Sequence, residues 1–85
     1  MRKIISTNNA PKAVGPYSQA IEANGTLYVS GQLPVNPTDG SVPESIEAQT
    51  EQSLKNIGAI LTEAGYTYKD VVKSTVLLTD MNDFA

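Results

Sequence analysis

The dipeptide Asn24-Gly25 constrains this chain more than any other feature. It separates two short strand-like runs, Ala20-Ile21-Glu22-Ala23 and Thr26-Leu27-Tyr28-Val29-Ser30. A two-residue hairpin turn that matches the right-handed twist of its strands needs positive φ at both central residues, and Asn-Gly adopts it with the least strain. The register follows from the turn: Ala23 faces Thr26, Glu22 faces Leu27, Ile21 faces Tyr28 and Ala20 faces Val29. On this register both faces of the hairpin are largely apolar, whereas a small two-layer domain ordinarily buries only one face of its sheet. One face is therefore expected to meet a helix and the other a neighbouring subunit.

The helix comes later in the chain. Ile46, Leu54, Ile57, Leu61 and Ala64 recur at helical spacing and predict an amphipathic helix over Ile46–Ala64. Ser45 stands where an N-cap is needed, Glu47 favours the N-terminal dipole, and Gly65 suits the position just past the C-terminus. Gln52, Lys55 and Glu63 take the opposite face. Gly58 costs the helix about 1 kcal/mol against alanine, which close helix–sheet packing would explain. Ile4-Ile5 can start an edge strand. The stretch from Gly31 to Pro43, with Pro34, Pro37, Asp39-Gly40 and Pro43, reads as a long loop. Val71 to Thr79 alternates and predicts a last strand. Asp80-Met81-Asn82-Asp83-Phe84-Ala85 looks like the start of a second helix, with Asp80 or Asn82 as its N-cap. A chain that stops there is expected to be a shortened form of a longer protein.

With 85 residues, residues 1–85 make one domain. A domain this short buries about 60% of the surface its unfolded chain exposes. Disulfides and structural metals are the usual aids for so thin a core, but the chain has neither Cys nor His. Oligomerisation or a longer parent chain is the remaining source of extra stability.

The same two absences exclude whole reaction classes: Ser-His and Cys-His nucleophile pairs, and thiolate or imidazole metal sites. No Asp/Glu cluster has the spacing of a calcium loop. The net charge of −3, with both signs scattered, gives no basic patch for nucleic acid. No run of about 18 apolar residues spans a membrane, and the N-terminus lacks the apolar core of a signal peptide. The expected location is the cytoplasm. Chemistry is left to Tyr, Ser, Lys, Glu, Asp, Arg, backbone amides and bound water.

By elimination it centres on Gly15-Pro16-Tyr17-Ser18, whose Gly-Pro forces an irregular backbone. Either this loop carries the Tyr17 hydroxyl and backbone amides to a ligand, or it is a turn whose Tyr packs on the core. Ser30-Gly31-Gln32 leaves the second hairpin strand. Gly31 either allows a ligand close to the backbone, where N–H groups bind an anion, or simply ends the strand. Tyr28, Tyr66 and Tyr68 read as core or interface residues. Glu22, inside a strand, points to solvent or pairs with a Lys across an interface.

Several segments, taken in order, resemble the Rid family of reactive intermediate deaminases (YjgF/RidA proteins). They are Asn9-Ala10-Pro11-Lys12-Ala13-Val14-Gly15-Pro16-Tyr17-Ser18-Gln19-Ala20, Val29-Ser30-Gly31-Gln32-Leu33-Pro34, Glu47-Ala48-Gln49-Thr50 with Leu54-Lys55-Asn56-Ile57, and Val71-Val72-Lys73-Ser74-Thr75-Val76-Leu77-Leu78-Thr79-Asp80-Met81. The resemblance covers nearly the whole chain. It implies a chorismate-mutase-like α+β fold assembled as a homotrimer, with sheets at the centre, helices outside and clefts between subunits. It implies hydrolysis of 2-imino acids or their enamines, such as 2-iminobutanoate and 2-iminopropanoate, to 2-oxo acids and ammonia, with no metal or organic cofactor. Carried over residue by residue, it makes Tyr17 catalytic and places Ser30 and the Gly31 amide against the substrate.

Family members are longer than this chain. Their later part carries an Arg that binds the substrate carboxylate and an acidic residue that orients water, and neither has a counterpart here; Arg2 is the only Arg and lies outside the matching motifs. The 85-residue form is therefore expected to be a weak or inactive deaminase. Two other readings stand beside it: a non-catalytic binder of 2-oxo acids, and an RNA-cleaving translation inhibitor, against which the acidic charge and the lack of His argue.

Overall fold

A computed structural model describes residues 2–15 and 17–84. Three antiparallel strands, β1 (Arg2–Ile5), β2 (Ala20–Ala23) and β3 (Thr26–Val29), form one sheet in the order β1-β2-β3. A single long helix, α1 (Ile46–Ala64), follows, then short 3-10 turns at Tyr68–Asp70 and Met81–Phe84.

The hairpin has the register expected of it, Ala20↔Val29 through Ala23↔Thr26. Asn24 (φ 52°) and Gly25 (φ 78°) both take positive φ, the geometry of a type I′ turn. β1 adds on the other side of β2 with Ile5↔Ala20, Ile4↔Ile21 and Lys3↔Glu22. Period-2 alternation then sorts the rows. Ile5, Ala20 and Val29 share one face, with Glu22 and Leu27 beyond them; Ile4, Ile21 and Tyr28 share the other.

The first of these faces carries the core. Ile5, Ala10, Ala20 and Ile60 are buried together, with Leu27, Val29, Ala59 and Ala64 packed around them. The second face has no cover: Ile4 is 65% and Tyr28 64% exposed. Half of the hairpin expectation is thus met within the chain, by α1 on one side.

The helix ends are set by the residues expected. Ser45 is extended (φ −87°, ψ 150°) and its side chain accepts from the Ala48 N–H; Gly65 closes the other end at φ 85°, its N–H donating to the Leu61 and Thr62 carbonyls. Between them the inward face differs from the one expected. It holds Asn56, Ile60 and Leu61, while Leu54 is half-exposed. Leu54 sits on the flank of the stripe, beside Tyr68, instead of under the sheet. Gln52, expected on the solvent face, is half-buried and donates through Nε2 to Asn56 Oδ1 at 2.9 Å. Lys55 and Glu63 are exposed as expected, and Lys55 pairs with Glu51 one turn back at 3.3 Å, an exposed contact worth a few tenths of a kcal/mol.

Gly58 has a different reason from the one inferred. A Cβ there would collide with the Tyr68 hydroxyl, which crosses the helix at this point and donates to the Leu54 carbonyl at 2.5 Å. The missing side chain makes room for an aromatic ring on the helix flank, not for the sheet.

The expected strand over Val71–Thr79 does not form. Residues 71–79 carry no strand ladder, and Val72 (98%) and Leu77 (91%) are almost fully exposed. Alternation gives a segment two faces but no partner, and a strand exists only where another edge receives its hydrogen bonds. At the following turn Asp80 Oδ1 accepts the Asn82 N–H at 2.9 Å, so Asp80 does the capping. Among the described residues no helix is long and apolar enough to cross a membrane.

Candidate functional site

Tyr17 and Ser30 are 13 positions apart, but both belong to one open groove on the uncovered side of the sheet, with Ser18, Ile21 and Tyr28 beside them. The chain reaches this arrangement through an arch. From the end of β1 the backbone leaves the sheet, turns at Asn8–Ala10, and returns at Ser18–Gln19 to enter β2. Gly15 takes φ 112°, a region that side chains resist, and its carbonyl accepts the Tyr17 N–H at 2.9 Å. This tight reversal aims Tyr17 along the groove, half-exposed; no other residue type makes that reversal without strain. Pro16 lies outside the described residues.

Ser30 is bonded on both sides to the foot of the arch. Its N–H donates to the Gln19 carbonyl at 2.9 Å and its Oγ donates to the Ser18 carbonyl at 2.5 Å. A hydroxyl has one proton, so what Ser30 can offer a ligand is its oxygen lone pairs. It suits a ligand N–H, not a carboxylate. Gly31 follows, exposed, with open space where a Cβ would stand; among the described residues its N–H donates to no protein acceptor. Gln32 turns back, its Nε2 donating to the Ser30 carbonyl at 3.2 Å. Among the described residues, none of the side chains lining the groove carries a charge.

Two buried amides hold this geometry. Gln19 (4% exposed) ties the arch together, and Asn56 (1% exposed) ties the loop after Gly31 to the helix. Asn56 Nδ2 donates to the carbonyls of Leu33 (3.0 Å) and Val35 (2.9 Å). Sequence reasoning assigned neither a role. For Asn56 a signal was present: an amide on the inward stripe with Ile57 and Ile60 must find buried partners.

The other tyrosines are not part of this constellation, except Tyr28 as a wall. Tyr68 lies on the helix flank. Tyr66, just past the helix, donates its hydroxyl to Glu22 Oε2 at 2.5 Å. Glu22 therefore neither faces solvent freely nor needs a Lys across an interface; Lys3 stands opposite it in the ladder, but the tyrosine takes its carboxylate.

That hydrogen bond to Glu22 pushes the Tyr66 pKa above its ordinary value, with burial and the charges of Glu22 and Asp70 acting in the same direction. A raised folded-state pKa means that the neutral phenol is favoured in the fold. Its stabilisation is complete below the unfolded value near 10 and is lost as pH rises through the higher folded value. Urea midpoints measured from pH 9 to 11 are expected to fall more steeply for the wild type than for Tyr66→Phe; parallel curves would dismiss the coupling.

A short antiparallel sheet covered by one helix, with a neutral, hydroxyl-bearing groove on the open face, defines a small α+β protein. The family model described as Endoribonuclease L-PSP matches residues 7–85. A mouse protein named 2-iminobutanoate/2-iminopropanoate deaminase is 52% identical over 85 residues, covering 99% of this chain and 63% of its own length. Among solved structures, a Rid-family protein of Yersinia pestis superposes with TM-score 0.95 at 52% identity, over 99% of this chain and 68% of its own. Escherichia coli TdcF, solved with bound serine, does so with TM-score 0.93 at 44% identity, over 96% and 65%. This chain belongs to the Rid family, and it spans about two thirds of the length of these relatives.

Proposed function

We propose that this chain supplies one wall of a site that hydrolyses 2-imino acids to 2-oxo acids and ammonia. The observation that carries the reading is the shared groove of Tyr17 and Ser30, with the Ser30 proton already committed. A 2-imino acid presents a carboxylate, an electrophilic C=N carbon and an imine N–H. The Gly31 N–H, next along the chain from Ser30 and without a protein acceptor among the described residues, takes the carboxylate in this reading. The Ser30 oxygen accepts from the imine nitrogen. Water adds to the carbon, forming the C–O bond as the C=N π electrons move to nitrogen. The Tyr17 hydroxyl gives its proton to that nitrogen and takes one from the attacking water; a second transfer of the same kind, from the carbinolamine hydroxyl to nitrogen, lets the C–N bond break, expelling ammonia and leaving the 2-oxo acid. An imine is already electrophilic, so positioning and proton transfer suffice and no strong nucleophile is required. The name of the mouse relative supports the substrate. So does the serine bound to TdcF, which carries an α-carboxylate and an α-nitrogen in the same relation as a 2-imino acid.

The uncovered row Ile4–Ile21–Tyr28 supports a homotrimer, in which a neighbouring subunit covers this face and closes the groove. The cytoplasm is the location this reading takes. A non-catalytic 2-oxo acid binder is the second reading, favoured because the side chains lining the groove among the described residues hold no ionisable general acid or base beyond the tyrosine hydroxyls. Nuclease chemistry fits less well, because a chain of net charge −3 repels a phosphate backbone.

The test uses 2-iminobutanoate generated in place by an amino-acid dehydratase. Ammonia release faster than spontaneous hydrolysis, inhibited by 2-oxobutanoate, is the expected result. Saturable stabilisation by 2-oxobutanoate without faster release would replace it with the binding reading, and neither effect would overturn both.

A further inference from the structure

We propose that Gln19 is the positioning residue of this site, a buried amide that locks the two feet of the arch together and thereby sets Tyr17 against Ser30. The proposal goes beyond the deaminase reading and depends on it only for its kinetic readout.

The bonding of Gln19 is directed entirely at the arch and at Ser30. Its Oε1 accepts the Thr7 N–H at 2.7 Å. Its Nε2 donates to the carbonyls of Thr7 (3.0 Å) and Pro11 (2.8 Å), with a longer contact to Ala10 (3.4 Å). Its own carbonyl accepts the Ser30 N–H. One side chain thus joins the outgoing limb of the arch to the returning limb, and one carbonyl joins the returning limb to the partner of Tyr17.

Apart from the Ser30 hydroxyl on the Ser18 carbonyl at the returning foot, little else among the described residues holds the arch. Of residues 12–15, Lys12, Val14 and Gly15 are exposed, Val14 to 85%, and the reversal at Gly15 is closed by the single Tyr17 N–H bond. Among the described residues of the outgoing limb, Ala10 is the one buried in the core. Without the amide, the Thr7 N–H and the Thr7 and Pro11 carbonyls lose their partners in a partly buried place, and unmet groups of that kind are relieved by movement toward water. The limb that moves is the one leading to Tyr17. A residue that merely filled space would be replaceable by Met or Leu; four polar contacts to three loop residues are not.

The test compares the full chain with Gln19→Met, which keeps the shape, and Gln19→Glu, which keeps the acceptor for Thr7 but loses both donors. Trypsin cleavage after Lys12, at low temperature where all three are folded, is expected to be about tenfold faster or more in both variants, as befits an arch freed at one foot. Cleavage after Lys55, inside α1, should be unchanged. Misplacing a reacting group by about 1 Å costs on the order of 10²-fold, so kcat for the imine is expected to fall at least tenfold while KM moves far less. Lys12 cleavage and kcat both within twofold of wild type in folded variants would overturn the proposal. Should neither variant fold, hydrogen exchange of the Thr7 amide in the wild type decides: protection comparable to the β1 amides supports the clamp, and exchange at the rate of a free amide overturns it. Lys12 exposure without any turnover or ligand binding by the wild type would leave the clamp standing and remove the deaminase reading.

Discussion

Asn56→Ala is expected to cost about 2–3 kcal/mol of stability, a large part of the roughly 4–13 kcal/mol that holds a domain of this length. The amide is fully enclosed, and its loss leaves the Val35 carbonyl and the Gln52 Nε2 without partners at once and reduces the Leu33 carbonyl to its one other donor, the Val35 N–H. The urea midpoint should fall with the slope of the transition unchanged, and the melting temperature should drop by about 10 °C or more. Asn56→Asp sharpens the test. It keeps the shape but sets a buried carboxylate against two carbonyl oxygens, which raises its folded-state pKa above the unfolded value. Such a group destabilises above the unfolded pKa near 4 and ceases to do so below it. At pH 7 the Asp variant should therefore be the weaker of the two and should recover part of the loss on acidification. Equal midpoints for Asn56→Ala and the wild type would show that the loop after Gly31 is held by something other than this amide.

Tyr17→Phe is expected to lower kcat/KM for imine hydrolysis by about 10²-fold, the lower end of what a positioned proton donor contributes. The fold should be indifferent to the change. The Tyr17 ring is half-exposed, and among the described residues its hydroxyl bonds to no protein group. Activity and stability are thus separable at this position, unlike at Ser30, whose hydroxyl also closes the arch against the Ser18 carbonyl. An unchanged kcat/KM with unchanged stability would remove Tyr17 from the chemistry and leave proton transfer to water.

The parts of the fold that were legible are those in which neighbours in sequence determine geometry. Asn24-Gly25 set the hairpin register to the residue, because only one pairing is compatible with a two-residue turn. Ser45 and Gly65 bounded α1, because helix ends are satisfied by side chains and φ values within one turn. The inward stripe was partly misjudged: Leu54 and Gln52 lie at its margins, where spacing alone does not separate a flank from a face, and the ring of Tyr68 arrives there from a loop. Tyr17 and Ser30, singled out by their motifs, line one groove, with Gly31 next along the chain. The roles of Gln19 and Asn56 were not legible, because the groups they hold in place are backbone carbonyls and amides, which are the same at every position in a sequence; the inward stripe showed only that Asn56 needs buried partners, not which ones. The two that Asn56 holds lie 21 and 23 positions away.

By itself, then, the sequence determined the local geometry: a hairpin with two apolar faces, a capped helix, and a chemistry without imidazole or thiol. Tertiary structure decided what each of these meets. It gave one sheet face to Ile60 and left the other, Ile4–Ile21–Tyr28, open; it left Val71–Thr79 without a ladder; and it committed the Ser30 proton to Ser18. The physical reason is range. Turns and caps are satisfied within a few residues, whereas burial, ladder pairing and the direction of a hydrogen bond depend on groups that folding alone brings together.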